Sequence, residues 1–318
     1  MYQKRWIFIG FTFSIVLWGW NVQAAHHCEN HGDLNANFCD NNYDLVADAP
    51  QDKNRFVDPS RLGFSYSTTK KPEKYKKLYT PFLNHLAACT GKPTEYYGVK
   101  TKAAEIEAMR LGRIHIAGFS TGALPQAVKI GGVQPFAMQG DENGPHGYRI
   151  LVIVRKNSPY QTLNELKGKR FAHANPSSNS GHIAPMALFP EAGINPGIDY
   201  EILFSGNHQK SVLGVFSGKY DAATTNTHAF RKPDVAKITS LDDFRVLYES
   251  PMFPGTGLTL AHNLNPQLAQ KIKTCTYQFR FGKNYQKRYS GADRLVPIDY
   301  QRDWKIVRDI AAVNDARK

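Results

Sequence analysis

From residue 62 onward the chain alternates short apolar runs with segments of helical period. Leu62-Gly63-Phe64-Ser65-Tyr66 reads as a strand entering a polar loop at 67–70. Thr80-Pro81 predicts a helix start, with threonine as N-cap and proline at the first helical position. Phe82, Leu83, Leu86, Ala87 and Cys89 then share one face, and Gly91 ends the helix. A second strand is predicted over 94–99, a helix over 103–111 stopped by Gly112, and a third strand over 114–119. Alternation of this kind implies a parallel sheet with helices on both faces.

The pattern then repeats. Strands are predicted at 148–154, 170–173, 200–204, 220–225 and 245–249, with helical segments at 163–166, 183–192 and 211–216. Helices over 266–281 and about 300–313 close the chain. Two α/β units of similar size imply two lobes, with crossovers near Gly147-Tyr148 and at 250–255. The expected division is lobe 1 over 61–147 plus 255–318 and lobe 2 over 148–254, each a mostly parallel sheet flanked by helices.

The first residues follow a different rule. Lys4 and Arg5 precede fifteen uncharged residues from Trp6 to Trp20, and Val22-Gln23-Ala24 offers small residues for cleavage. This is the layout of a secretory signal peptide spanning 1–24, and the run is shorter than the ~20 residues of a membrane anchor. Ala25 and His26 follow the cut, not cysteine, which disfavours a lipid anchor there. The expected destination is the periplasm, with no membrane insertion after cleavage.

Export places the four cysteines in an oxidising compartment. Three connectivities exist. The preferred one joins Cys28 to Cys39, eleven apart in a polar segment, and Cys89 to Cys275.

Residues 25–60 are rich in Asn, Asp and His and read as an irregular extension. Within it, Asp40, Asn42, Asp44 and Asp48 space oxygens as short calcium loops do. Leu45 stands where such a loop wants glycine, so the competing reading is an Asx-rich loop bonded to itself. No other cofactor is expected.

Forty Lys+Arg against 27 Asp+Glu give a net charge of +13. The basic residues are scattered through 70–77, 167–170 and 283–288 without a zinc-finger or RNP-type signature. Nucleic acid is therefore not an expected partner, and each cluster reads as a solvated face. A basic exported protein does suit small anions.

The segment Ser177-Ser178-Asn179-Ser180-Gly181 lies between a strand and a helix. A helix start offers free N–H groups and a partial positive charge, and small hydroxyl side chains let an oxyanion come close. Plain helix capping uses the same residues.

Taken together, several stretches resemble the phosphate/phosphite/phosphonate-binding components of ABC importers, which are type II periplasmic solute-binding proteins. They are 80–83, 107–114, Gly147-Tyr148, Leu166-Lys167-Gly168-Lys169-Arg170, 176–181, His208 within 206–209, and 223–227. Ser250-Pro251 and Pro254-Gly255 also match, so the similarity runs from about 60 to 315.

The resemblance implies a two-lobed fold with the ligand between the lobes, a small oxyanion ligand, an ABC permease as partner, and a monomer. It assigns oxyanion contacts to Phe119, Ser120, Thr121, Tyr148 and His208 besides Ser177, Ser178, Asn179 and Ser180. Tyr66 and Asn226 complete the expected set. In the aminoalkylphosphonate receptor, acids grip the ligand's ammonium at two positions held here by His228 and Thr256. The organic group expected here therefore differs, or is absent.

No HExxH, P-loop or paired Cys/His arrangement points to an enzyme. The rival readings are a same-fold receptor for a sulfonate or other anion, a polyanion-binding surface protein, and an enzyme without a linear motif.

Overall fold

The structure is a computed structural model that describes residues 28–66 and 72–316. The predicted signal segment 1–24 and the predicted polar loop 67–70 lie outside the described residues.

The chain first lays down β1 (Leu62–Tyr66), β2 (Thr94–Tyr96), β3 (Ile116–Phe119), β4 (Val133–Asp141) and β5 (Gly144–Pro145). It crosses on β6 (Gly147–Tyr148) and forms β7 (Ile150–Arg155), β8 (Phe171–His173), β9 (Ile202–Phe204), β10 (Ala222–Asn226) and β11 (Phe244–Glu249). It returns on β12 (Phe253–Pro254) to add β13 (Gly257–Ala261) and β14 (Arg294–Pro297).

One sheet has the order β14-β4-β13-β3-β1-β2, with β5 against β4; the other has the order β11-β7-β10-β8-β9. β6 and β12 form a two-stranded antiparallel ribbon, Tyr148 opposite Phe253. Gly147 is required in it, since an added Cβ would sit 2.4 Å from the Phe253 carbonyl oxygen.

The sheets are mixed, not mostly parallel. β1 is parallel to β2 and β3, but β13 is antiparallel to both β3 and β4, and β14 is antiparallel to β4. In the second sheet β8 is parallel to β9 and β10, while β7 is antiparallel to β10 and β11. Among the antiparallel members of the first sheet, β4 escapes a strand reading because its pattern is broken. β4 contains Gln134, Pro135, Gln139 and Gly140, and its register against β13 shifts at the proline.

The helix expected to start at Thr80-Pro81 instead spans Pro72–Thr90, with Pro81 inside it. Thr80 is no N-cap; its hydroxyl donates to the Lys76 carbonyl at 2.7 Å. The apolar stripe runs upstream of the proline through Tyr75, Leu78 and Tyr79, and burial of Tyr79 and Phe82 outweighs the lost backbone bond.

The extension is irregular but docked: Leu34 and Phe38 join the first sheet's core, and Gln134 donates to the Ala47 carbonyl. The structure forms both preferred disulfides. Cys28–Cys39 closes the extension, and Cys89–Cys275 ties helix Pro72–Thr90 to helix Pro266–Gln278. Among the described residues no helix is long and apolar enough to cross a membrane.

Candidate functional site

A cavity of about 650 Å³ lies between elements of the two sheets. One wall is the turn after β3, carrying Ser120, Thr121 and Gly122. The facing wall is the turn Ser177–Ser180 after β8. The walls approach closely at one point, where a Cβ on Gly122 would stand 3.2 Å from the Asn179 Cβ.

The second turn is built as a helix start. Ser178 is extended and caps a π-helical turn, Asn179–Ile183, that runs into helix Ala184–Glu191. Its hydroxyl accepts the Gly181 N–H at 3.1 Å. A Cβ at Gly181 would meet the Ala174 Cβ at 2.3 Å, so the tight entry into the helix needs glycine. The first N–H groups of such a turn lack intrahelical acceptors and point their positive end outward.

Side chains from three other elements converge on it. The Ser180 hydroxyl accepts from Asn226 Nδ2 at 3.0 Å and lies 2.9 Å from His208 Nε2. Asn179 Nδ2 donates to the Tyr148 hydroxyl at 3.0 Å. On the opposite wall, Thr121 Oγ1 donates to the Pro254 carbonyl at 2.7 Å, and its own carbonyl accepts from Trp304 Nε1 at 3.1 Å.

Of the residues expected from sequence, Ser120, Thr121, Tyr148, Ser177, Ser178, Asn179, Ser180, Asn226, His228 and Thr256 line the cavity. Tyr66, Phe119 and His208 stand behind the wall. Tyr66 is buried and accepts a hydrogen bond from Gln139, which does line the cavity. Phe119 is fully buried in the core. His208 touches the site through Ser180 and Ser178, and its Nδ1 is buried without a partner.

Burial, then the nearby Lys232 charge, pushes His208 down to about 4; burial, Lys232 and Arg231 do the same to His228. Both are neutral at pH 7. Burial raises the Tyr148 hydroxyl, leaving it a neutral donor.

The cations of the cavity were not legible as a site. Lys74, Lys102, Arg231, Lys232, Lys287 and Arg288 all line it, and no Asp or Glu is among the lining residues. Lys74, Lys287 and Arg288 belong to stretches that read as solvated faces; the fold turns them onto one cavity. Their only linear signal is clustering of like charge, which solvated faces share.

Gly118-Phe119-Ser120-Thr121-Gly122 has the Gly-x-Ser-x-Gly spacing of a nucleophile elbow, between a strand and helix Leu124–Gly131. No histidine is hydrogen-bonded to Ser120 among the described contacts.

In the extension, Asp40 accepts the Leu45 N–H, Asp44 the Val46 N–H, and Asp48 the Asn41 N–H, while Asn42 bonds Asp44. These oxygens close the loop on itself and hold Leu45 at a left-handed φ of 67°. They do not form a group converging on one point among the described residues.

A hydroxyl- and amide-lined cavity between two α/β sheets, with strand ends and a helix start aimed into it, is a geometry for holding a small solute. A family model described as "ABC transporter, phosphonate, periplasmic substrate-binding protein" matches residues 64–304, and the chain belongs to that family. The family is a substrate-binding component of transport, not an enzyme.

The chain is 28% identical over 231 residues to the phosphonates-binding periplasmic protein of Escherichia coli K12, covering 71% of this chain and 66% of that protein. It is 24% identical over 276 residues to the phosphate-import protein PhnD of Mycolicibacterium smegmatis, covering 82% of this chain and 85% of that protein. A solved binding protein component of an ABC phosphonate transporter from Pseudomonas aeruginosa shares the fold. Its TM-score is 0.62 at 22% identity, over 82% of this chain and 90% of that one.

Proposed function

We propose that the protein is the periplasmic receptor of an ABC importer, capturing a small phosphorus oxyanion such as a phosphonate, phosphite or phosphate and delivering it to a permease. The observation that carries this is the cradle. Ser178, Asn179 and Ser180 present hydroxyl, amide and helix-start N–H donors to a cavity whose opposite wall carries Ser120 and Thr121. An oxyanion entering there accepts from the turn on one side and from the Ser120 hydroxyl on the other, the Thr121 hydroxyl being held by the Pro254 carbonyl. The bonds among Ser180, Asn226, His208, Asn179 and Tyr148 hold the donors in place beforehand. Family membership favours phosphorus over other anions.

A thermal-shift screen with phosphate, phosphite, methylphosphonate, aminoethylphosphonate and sulfate tests the reading. A ligand present at 100 times its dissociation constant adds about 2.7 kcal/mol of stability. Stabilisation by sulfate alone would redirect the assignment to a sulfur oxyanion.

A further inference from the structure

The cavity is larger than its cradle requires. Its volume is about 650 Å³, within the ~300–1,000 Å³ typical of sites that hold whole small molecules. A single tetrahedral oxyanion has five heavy atoms and fills a small part of it.

The remaining wall is basic from both sides. Lys232 follows the short turn Ala229–Arg231 beyond β10 of the second sheet. Lys287 and Arg288 end helix Lys283–Arg288, whose Tyr285 is anchored in the first sheet's core. All three line the cavity, and none has an ion pair with a carboxylate among the described contacts.

Arg288 is held in place without an acid. Its guanidinium lies 4.6 Å from the centre of the Tyr75 ring and donates to the Tyr75 hydroxyl at 2.6 Å. Lys232 is half-buried, and burial first, then the charge of Arg288, lowers its pKa; Asp234 opposes this more weakly. Two cations carried by opposite sides of the cavity thus lie close enough to act on each other, with no Asp or Glu among the described lining residues. Such an arrangement repels until an anion bridges it.

We propose that Lys232 and Arg288, with Lys287, form a second anion subsite, so that the preferred ligand is a phosphorus oxyanion carrying a second anionic group on the same small molecule. This rests on the oxyanion reading of the cradle given above. The phosphorus group occupies the hydroxyl turn, and the second group draws the two basic walls together. A carboxylate and a second phosphorus group share this chemistry.

Calorimetric titration of the mature protein at fixed ionic strength tests it with methylphosphonate, phosphonoacetate and methylenediphosphonate. At least one of the two bifunctional ligands should bind about tenfold or more tighter than methylphosphonate, and which one does so identifies the second group. Lys232→Gln and Arg288→Gln should each bring the ratio of bifunctional-ligand to methylphosphonate affinity most of the way back to one, over and above any uniform loss that Lys232, whose charge also reaches His208, adds for all three ligands. Lys169→Gln removes one charge over the Tyr160 ring, away from the cavity, and should leave the preference intact.

Equal affinity for all three ligands overturns the subsite while leaving the cradle standing. A parallel loss of all three ligands in the Lys232 and Arg288 variants, or an equal loss in the Lys169 variant, also overturns it. If none of the three binds, the oxyanion reading fails and the subsite with it.

Discussion

Asn179 and Tyr148 are joined by a 3.0 Å hydrogen bond from the amide to the phenol. Asn179 belongs to the helix-start turn after β8; Tyr148 belongs to the ribbon on which the chain crosses between sheets, where its ring stacks on Phe253 at 5.7 Å. The bond therefore links the proposed anion cradle to the crossover.

The cradle is the first place to test. Ser180→Ala removes a hydroxyl shared with Asn226 and His208 and leaves both without that partner. We expect oxyanion affinity to fall by about 1–3 kcal/mol, and Ser178→Ala combined with it to fall further. Titration calorimetry decides, and unchanged affinity in the double variant would remove the turn from the site.

The absence of a lining acid predicts specificity. An ammonium in this cavity meets Lys and Arg and no carboxylate, and a buried charge without a partner costs several kcal/mol. Aminoethylphosphonate should therefore bind no tighter than methylphosphonate in direct competition. A hundredfold preference for the amine would require an acid to enter the site, with Asp141, bonded to the lining residue His146, or the adjacent Glu142 as the source.

Glu105 predicts a pH dependence of stability. It is buried on helix Lys102–Arg110, its carboxylate accepting from the Ser65 hydroxyl at 2.6 Å, and burial pushes its pKa up to about 7. A carboxyl raised in the folded state binds its proton more tightly there than in the unfolded chain. Its favourable contribution is complete below the unfolded value of 4.5 and is lost as pH rises through about 7. Glu105→Gln should then stabilise the protein at pH 8 by about 1–3 kcal/mol, with the gain vanishing near pH 4. Denaturant unfolding at the two pH values measures it.

The Cys89–Cys275 bridge spans 186 residues of sequence and joins two helices over the first sheet. Replacing both cysteines by alanine should lower stability by about 2–5 kcal/mol while leaving oxyanion affinity near its original value, since neither lines the cavity. A large loss of affinity in a folded double variant would show that the bridge also sets the cavity's shape.

Local chemistry by itself determined a good deal. The apolar runs at Leu62–Tyr66 and Ile150–Arg155 are strands because continuous burial favours them. The order of glycine stops marks the helix ends, and Ser178-Asn179-Ser180-Gly181 marks a helix start able to receive an anion. These features depend on neighbours in sequence, so they are visible there.

What the sequence could not show depends on partners far along the chain. β13 is antiparallel to β3 because the chain re-enters the first sheet from β12, a fact of connectivity that no five-residue pattern contains. Pro81 sits inside a helix because the burial of Tyr79 and Phe82 outweighs one missing backbone bond. The same holds at the site. Tyr66 and Phe119 turn into the core, whereas Lys74, Lys232 and Arg288, more than two hundred residues apart at the extremes, meet on one cavity. Charge in sequence is a property of single residues; a field with no opposing acid is a property of their arrangement, and only tertiary packing decides it.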